Sequence, residues 1–153
     1  MLRESHIYLP TEKNPAIVVP VYQAGGGFAV EQETCTVLTD WRDPVKLATA
    51  LLSTLKQFSL KNVDLRSRGK RTDWPVFRAS GCKTLREFEA TYLCIIVRAV
   101  NEAELFYDAY AKPEHEEDIT LHATLNPCVL DIEIGRKLLR LYDACQKWSE
   151  HLA

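Results

Sequence analysis

The spacing of apolar positions changes repeatedly along this chain, and each change marks an element. Residues 5–9 and 17–22 are short, β-branched or aromatic, and broken by Pro10, Pro15 and Pro20. Proline gives no donor to a strand ladder, so these segments predict edge strands or extended arms. Gly25-Gly26-Gly27 permits a sharp reversal into a strand over Phe28–Leu38. Asp43-Pro44 places an N-cap carboxylate before a proline at the first helical position. Leu47, Ala48, Leu51, Leu52, Leu55 and Phe58 then recur at helical spacing, with Lys46, Thr49, Ser53 and Lys56 opposite, which predicts an amphipathic helix ending near Phe58.

Residues 61–83 read mostly as loop, with a tryptophan-proline corner at Trp74-Pro75. Thr84 followed by Glu87 is a capping-box spacing and starts a short helix. Leu93–Val100 is apolar on both faces of an extended chain, the signature of a central strand covered at least partly on both sides. Leu105, Tyr107 and Ala109 alternate with Glu104, Asp108 and Tyr110, a half-exposed strand. Ile119, Leu121, Ala123 and Leu125 alternate with Thr120, His122 and Thr124, the cleanest period-two stretch in the chain. Asp131 can cap a final helix whose apolar face is Ile134, Leu138, Leu141, Tyr142, Cys145 and Trp148. Gly135 in its first turns costs about 1 kcal/mol against alanine. The expected architecture is α+β: one domain spanning 1–153, with an antiparallel meander packed by two longer helices and one short one.

Composition narrows the function classes. At 153 residues with 46% hydrophobic content, the chain is long enough for one self-sufficient core. A formal charge of −2 gives no general attraction to nucleic acid or an anionic membrane. Cys35, Cys82, Cys94, Cys128 and Cys145 form no C-x-x-C pair, which points to reduced thiols rather than a zinc knuckle or a redox motif. The N-terminal stretch lacks the continuous apolar segment of a secretory signal, and no run approaches the length of a membrane span. A cytoplasmic protein is expected.

No catalytic, metal-binding or cofactor-binding signature stands out: H-E-x-x-H, G-x-S-x-G, an EF-hand loop and the P-loop are all missing. Two charge features remain. From Lys56 to Arg86, nine lysines and arginines face Asp64 and Asp73, a local charge of +7 with Trp74 and Phe77 interleaved. That pattern is shared by mobile surface loops and by single-strand nucleic-acid binders. From Glu102 to Asp118, seven acidic residues (Glu102, Glu104, Asp108, Glu114, Glu116, Glu117 and Asp118) face Lys112 alone, a local charge of −6. A ribonuclease-like pairing of His6 with His122 would require the fold to bring them together.

Asn62-Val63-Asp64-Leu65-Arg66-Ser67, Trp74-Pro75, Ala79-Ser80, Lys83-Thr84-Leu85-Arg86-Glu87-Phe88-Glu89 and Val97-Arg98-Ala99-Val100-Asn101 carry a likeness, which continues more weakly through Gly135-Arg136-Lys137-Leu138-Leu139-Arg140-Leu141-Tyr142. Over roughly Trp41 to Trp148, the chain resembles the immunity proteins of bacterial contact-dependent growth inhibition systems, which bind and neutralise a cognate toxin domain. The first forty residues lie outside it. The resemblance implies a non-enzymatic protein whose partner is that toxin domain, expected to be a nuclease, with neither nucleic acid nor membrane as partner. A nuclease carries a basic cleft, and carboxylates suit such a cleft while speeding encounter. The expected toxin-binding residues are therefore Glu102, Glu104, Asp108, Glu114, Glu116, Glu117 and Asp118, with Trp74, Tyr107 and Tyr110 as aromatic anchors. The alternative is a small nuclease or nucleic-acid binder using Lys56–Arg86, with His122 as acid-base.

Overall fold

A computed structural model describes residues 3–11, 13–25, 27–61, 73–101, 103–111 and 119–151. Their strands form one sheet of eight, with four helices among the described residues. The strands are β1 (Arg3–Pro10), β2 (Ala16–Ala24), β3 (Ala29–Glu31), β4 (Thr36–Leu38), β5 (Ser59–Lys61), β6 (Tyr92–Ala99), β7 (Leu105–Ala111) and β8 (Ile119–Leu125). The helices are α1 (Pro44–Lys56), α2 (Pro75–Ser80), α3 (Leu85–Thr91) and α4 (Asp131–His151). The main order is β3-β2-β1-β6-β7-β8, with β4 and β5 also paired to β2. The fold class is α+β as expected, and β6-β7-β8 is the predicted meander.

Three expectations need correction. β1 and β2 are interior strands: β1 lies between β2 and β6, and β2 carries four partners. The prolines are tolerated because none has to donate. Pro10 ends β1, and Pro15 precedes β2. The Pro20 carbonyl accepts from the Gln32 N–H, so the Pro20 nitrogen faces that same edge, in the gap between the β4 and β3 pairings. The strand expected over Phe28–Leu38 is two short ones, β3 and β4, interrupted at residues 32–35. The corner at Trp74-Pro75 is a full helix, α2, with Pro75 in its first turn and Gly81 closing it at φ 71°.

Local rules explain the helix starts. The Asp43 carboxylate accepts from the N–H groups of Val45 and Lys46. The Thr84 hydroxyl accepts from Glu87 N–H, and the Glu87 carboxylate reaches back to Lys83 N–H, a capping box shifted by one residue. One sheet face carries Ile7, Leu9, Val18, Leu93, Ile95, Val97, Leu105, Tyr107 and Ala109, packed under α1 and α4. Buried side chains of this size contribute roughly 1.5–3 kcal/mol each. Within this core Ser5 and Thr54 share a 2.7 Å hydrogen bond, tying α1 to β1. Gly135 sits where α4 crosses the start of α1: a Cβ there would lie 1.8 Å from the Pro44 carbonyl oxygen. Close approach of two backbones therefore explains that glycine.

Candidate functional site

The second sheet face is covered differently along its width. Tyr8, Ile17, Val19 and Tyr92 lie beneath α2 and α3, whose Val76, Phe77 and Phe88 complete a smaller apolar cluster. Trp74, before α2, packs edge-on against Tyr8 at 5.7 Å and Phe88 at 5.0 Å. Toward β7 and β8 the same face turns polar.

The register dictates that polar part. Glu4 pairs across the sheet with Arg98, and Arg98 with Phe106; His6 pairs with Ile96, Ile96 with Asp108, and Asp108 with His122. Alternation sends Glu4, His6, Arg98, Asp108 and His122 to one side, while Ser5, Ile7, Val97 and Tyr107 go to the other. A continuous chain of hydrogen bonds results. The Trp74 indole N–H donates to Glu31 Oε2, and the Tyr8 hydroxyl donates to Glu31 Oε1 at 2.5 Å. His6 Nδ1 lies 2.7 Å from Glu31 Oε1, and His6 Nε2 lies 3.0 Å from Glu4 Oε1. Arg98 donates through Nε to Glu4 Oε2 at 3.1 Å and through Nη1 to Asp108 Oδ2 at 2.5 Å. His122 Nδ1 closes the series, 2.6 Å from Asp108 Oδ1.

The electrostatics follow from this order. Burial alone lowers the His6 pKa, but hydrogen bonds and charge from Glu31 and Glu4 outweigh it and raise it to about 9. With a carboxylate at each ring nitrogen, His6 is an imidazolium at neutral pH. For Glu4, burial raises the pKa, and the combined pull of His6 and Arg98 leaves it below the usual carboxylate value. Burial first, then the neighbouring Cys94 and Glu31, push the Tyr8 hydroxyl well above its ordinary range. Anions and cations alternate from Glu31 to Asp108. His122 is the exposed terminus, its side chain 71% accessible against 13% for Asp108.

The expected binding residues are distributed unevenly over this structure. Asp108 is in the chain of hydrogen bonds, Tyr110 is 42% exposed on the same face, and Glu104 is exposed just before β7. Trp74 is half-buried and held by Glu31. Tyr107 is corrected as an anchor: it is wholly buried beneath the helices, because position 107 shares the face of Leu105 and Ala109. Glu102, Glu114, Glu116, Glu117 and Asp118 lie outside the described residues. Sequence reading missed Glu4, Glu31 and Arg98. The only available signal was period-two placement of charges in strands, with no indication of which strands would be neighbours.

His6 and His122 do not meet. Three strand spacings separate their registers, about 14 Å at the usual strand separation. In the basic segment, Arg78 is paired with Glu33 at 3.3 Å, and the Lys61 ammonium lies 4.8 Å from the Tyr22 ring centroid. Residues 62–72 lie outside the described set. Among the described residues no group of three or more His, Cys, Asp or Glu is placed to hold a metal ion, and no helix is long and apolar enough to cross a membrane. A shallow depression of about 450 Å³, lined by Gln23, Ala24, Gly25, Gly27, Leu60 and Lys61, shares no residue with the polar chain.

No family model and no curated relative matches this sequence. Solved structures do share its fold. A protein of unknown function from Neisseria meningitidis superposes with a TM-score of 0.74 at 15% identity, covering 95% of this chain and 96% of that one. A chain of the CdiA-CT/CdiI toxin and immunity complex from Yersinia pseudotuberculosis superposes with a TM-score of 0.69 at 11% identity, covering 95% of this chain and 98% of that one. At these identities the likeness is one of fold.

Proposed function

We propose that this chain is an immunity protein: it binds a cognate contact-dependent growth inhibition toxin domain in the cytoplasm and neutralises it without making or breaking a covalent bond. The observation that carries this reading is the end-to-end fold likeness to a chain of a toxin and immunity complex. The residue resemblance over Trp41 to Trp148 points the same way. The toxin is a nuclease on this reading, and its basic cleft is the target of the acidic stretch Glu102–Asp118, assisted by Tyr110 and Trp74. Charge of one sign at the mouth of an interface speeds encounter and selects against wrong partners.

Co-expression with the toxin domain of the neighbouring open reading frame is the decisive test. Cells carrying both should grow, whereas the toxin domain alone should kill; killing in both cases rejects the proposal. The contact surface has its own test. Changing Glu114, Glu116 and Glu117 together to lysine should slow association at low salt by about tenfold or more, as loss of steering does. An unchanged association rate would move the interface elsewhere on the molecule.

A further inference from the structure

We propose that β8 pairs antiparallel with β8 of a second copy of this chain, about a two-fold axis at His122. The inference is independent of the immunity reading and concerns the far edge of the sheet.

The two ends of the sheet are built differently. At one end the outer pieces β3, β4 and β5 have three residues each, and edges that short offer little to a foreign strand. At the other end β8 has seven residues and pairs with β7 without a break, from Leu125 opposite Leu105 to Ile119 opposite Ala111. Among the described residues no strand pairs with its outer side. Ile119–Leu125 contains no proline, lysine, arginine, aspartate or glutamate, the residues that normally keep an edge from pairing.

The register gives the direction of the free backbone groups. Val100 stands opposite Glu104 at the end of the β6–β7 ladder, and its N–H donates to the Glu104 carbonyl at 3.3 Å. Hydrogen-bonded and non-bonded pairs alternate in an antiparallel ladder. Phe106 and Asp108 therefore bond to β6, while Leu105, Tyr107 and Ala109 bond to Leu125, Ala123 and Leu121. That leaves the N–H and C=O groups of Thr120, His122 and Thr124 pointing away from β7.

The sequence of β8 decides what fits them. Ile-Thr-Leu-His-Ala-Thr-Leu has the same pattern from either end: apolar residues alternate with threonine, histidine and threonine. Centred on His122, two copies put His122 opposite His122, Thr120 opposite Thr124 and Leu121 opposite Ala123. Each outward residue then faces an outward residue, so all their donors and acceptors are exchanged. Threonine pairs and apolar pairs are both favourable across strands. Moving the axis by one residue breaks this matching and sets histidine opposite threonine. Leu121, Ala123 and Leu125 extend the helix-side core to this edge and stop half-buried there. Pairing continues that core across the axis, with the same patch on both copies, as a closed dimer requires.

Sedimentation equilibrium of the full chain, at concentrations up to the order of 100 µM, should show a reversible dimer. His122→Pro removes an N–H that bonds to nothing in β7, and with it both hydrogen bonds at the axis. Its dissociation constant should rise about a hundredfold or more, with the circular dichroism of the chain unchanged. Two cysteine variants read the register. Residues facing each other at the axis lie about 5.5 Å apart at Cα, within reach of a disulfide. Mild oxidation of His122→Cys should therefore yield a covalent dimer above the level of the original chain. Thr124→Cys should not, because its two copies stand more than about 13 Å apart. A chain that stays monomeric throughout this range overturns the proposal, as does a dimer in which the two cysteine variants cross-link alike. A monomer that binds the toxin domain of the neighbouring reading frame, and loses it in His122→Pro, would give the edge to a toxin strand and overturn it too.

Discussion

Raising the pH through the titration of His6 should remove one of the two cations that hold Glu31, Glu4 and Asp108 together on the sheet. The folded protein binds this proton more tightly than the unfolded chain, with a pKa of about 9 against an ordinary 6.5. Its contribution is therefore fully present below the unfolded value and is lost as pH rises through the folded one. At about 1.4 kcal/mol per pH unit, the gap is worth on the order of 3 kcal/mol. Between about pH 6 and about pH 8.5, roughly 2 kcal/mol of it should disappear. The window stops there for a reason. Burial pushes the thiols of Cys35 and Cys145 up to about 11, so ionisation of unfolded cysteine adds a decline of the same sign at higher pH. Urea denaturation across this window, on the original chain and on His6→Gln, isolates the effect as the difference between two curves. The original should lose stability with pH by roughly 2 kcal/mol more than the variant, a change in melting temperature of about 4–8 °C for a domain of this size. Parallel curves would refute the argument. An NMR titration of the His6 ring gives a direct reading, and a midpoint at or below the ordinary imidazole value would refute it as well.

Three further outcomes follow from the packing. Gly135→Ala should destabilise by about 2 kcal/mol, because the clash with the Pro44 backbone exceeds the roughly 1 kcal/mol gained in helix propensity; a more stable variant in urea would contradict the crossing geometry. Tyr107→Phe should be neutral or stabilise by up to about 1 kcal/mol, since the buried Tyr107 hydroxyl finds no hydrogen-bond partner among the described residues; a clear loss in thermal denaturation would mean that the hydroxyl is satisfied. Asp43→Ala should cost about 1 kcal/mol by freeing the N–H groups of Val45 and Lys46, and Asp43→Asn should recover most of it.

Local signals in the sequence were sufficient wherever one element could be read alone. The caps at Asp43 and Thr84, the helical stripe of α1 and the alternation of β8 are each complete within a dozen residues, and each appears in the fold. What failed was non-local. Pro10 and Pro20 read as marks of edge strands, yet an interior strand tolerates proline where no partner needs its donor, and that depends on which strands flank it. The cost assigned to Gly135 came from propensity, whereas its reason is Pro44, more than eighty residues earlier. The polar chain is the clearest case. Glu4, Glu31, Arg98 and His122 are scattered over the whole sequence, and only the order β3-β2-β1-β6-β7-β8 makes them neighbours. Tyr107 differs, because its alternation with Asp108 already placed it on the apolar side.

The two parts of the second sheet face are held together by different physics, and the difference bears on function. Under α2 and α3, Tyr8, Trp74, Phe88 and Tyr92 remove apolar area from water, and their ring pairs add roughly 0.5–1.5 kcal/mol each. Along Glu4, His6, Arg98 and Asp108 the balance is closer to zero. Withdrawing each ion from water costs several kcal/mol, and good pairing returns about as much, so apolar residues of similar volume would serve stability equally well. What such residues would not supply is direction. Arg98 holds both Glu4 and Asp108, and Asp108 in turn fixes the ring of His122, so the series converts the rigidity of the sheet into one orientation at an exposed point. A core needs only area and volume; a surface that must distinguish one partner from others needs oriented donors and acceptors. On β7 the division falls between adjacent residues, Tyr107 facing the helices and Asp108 the polar chain.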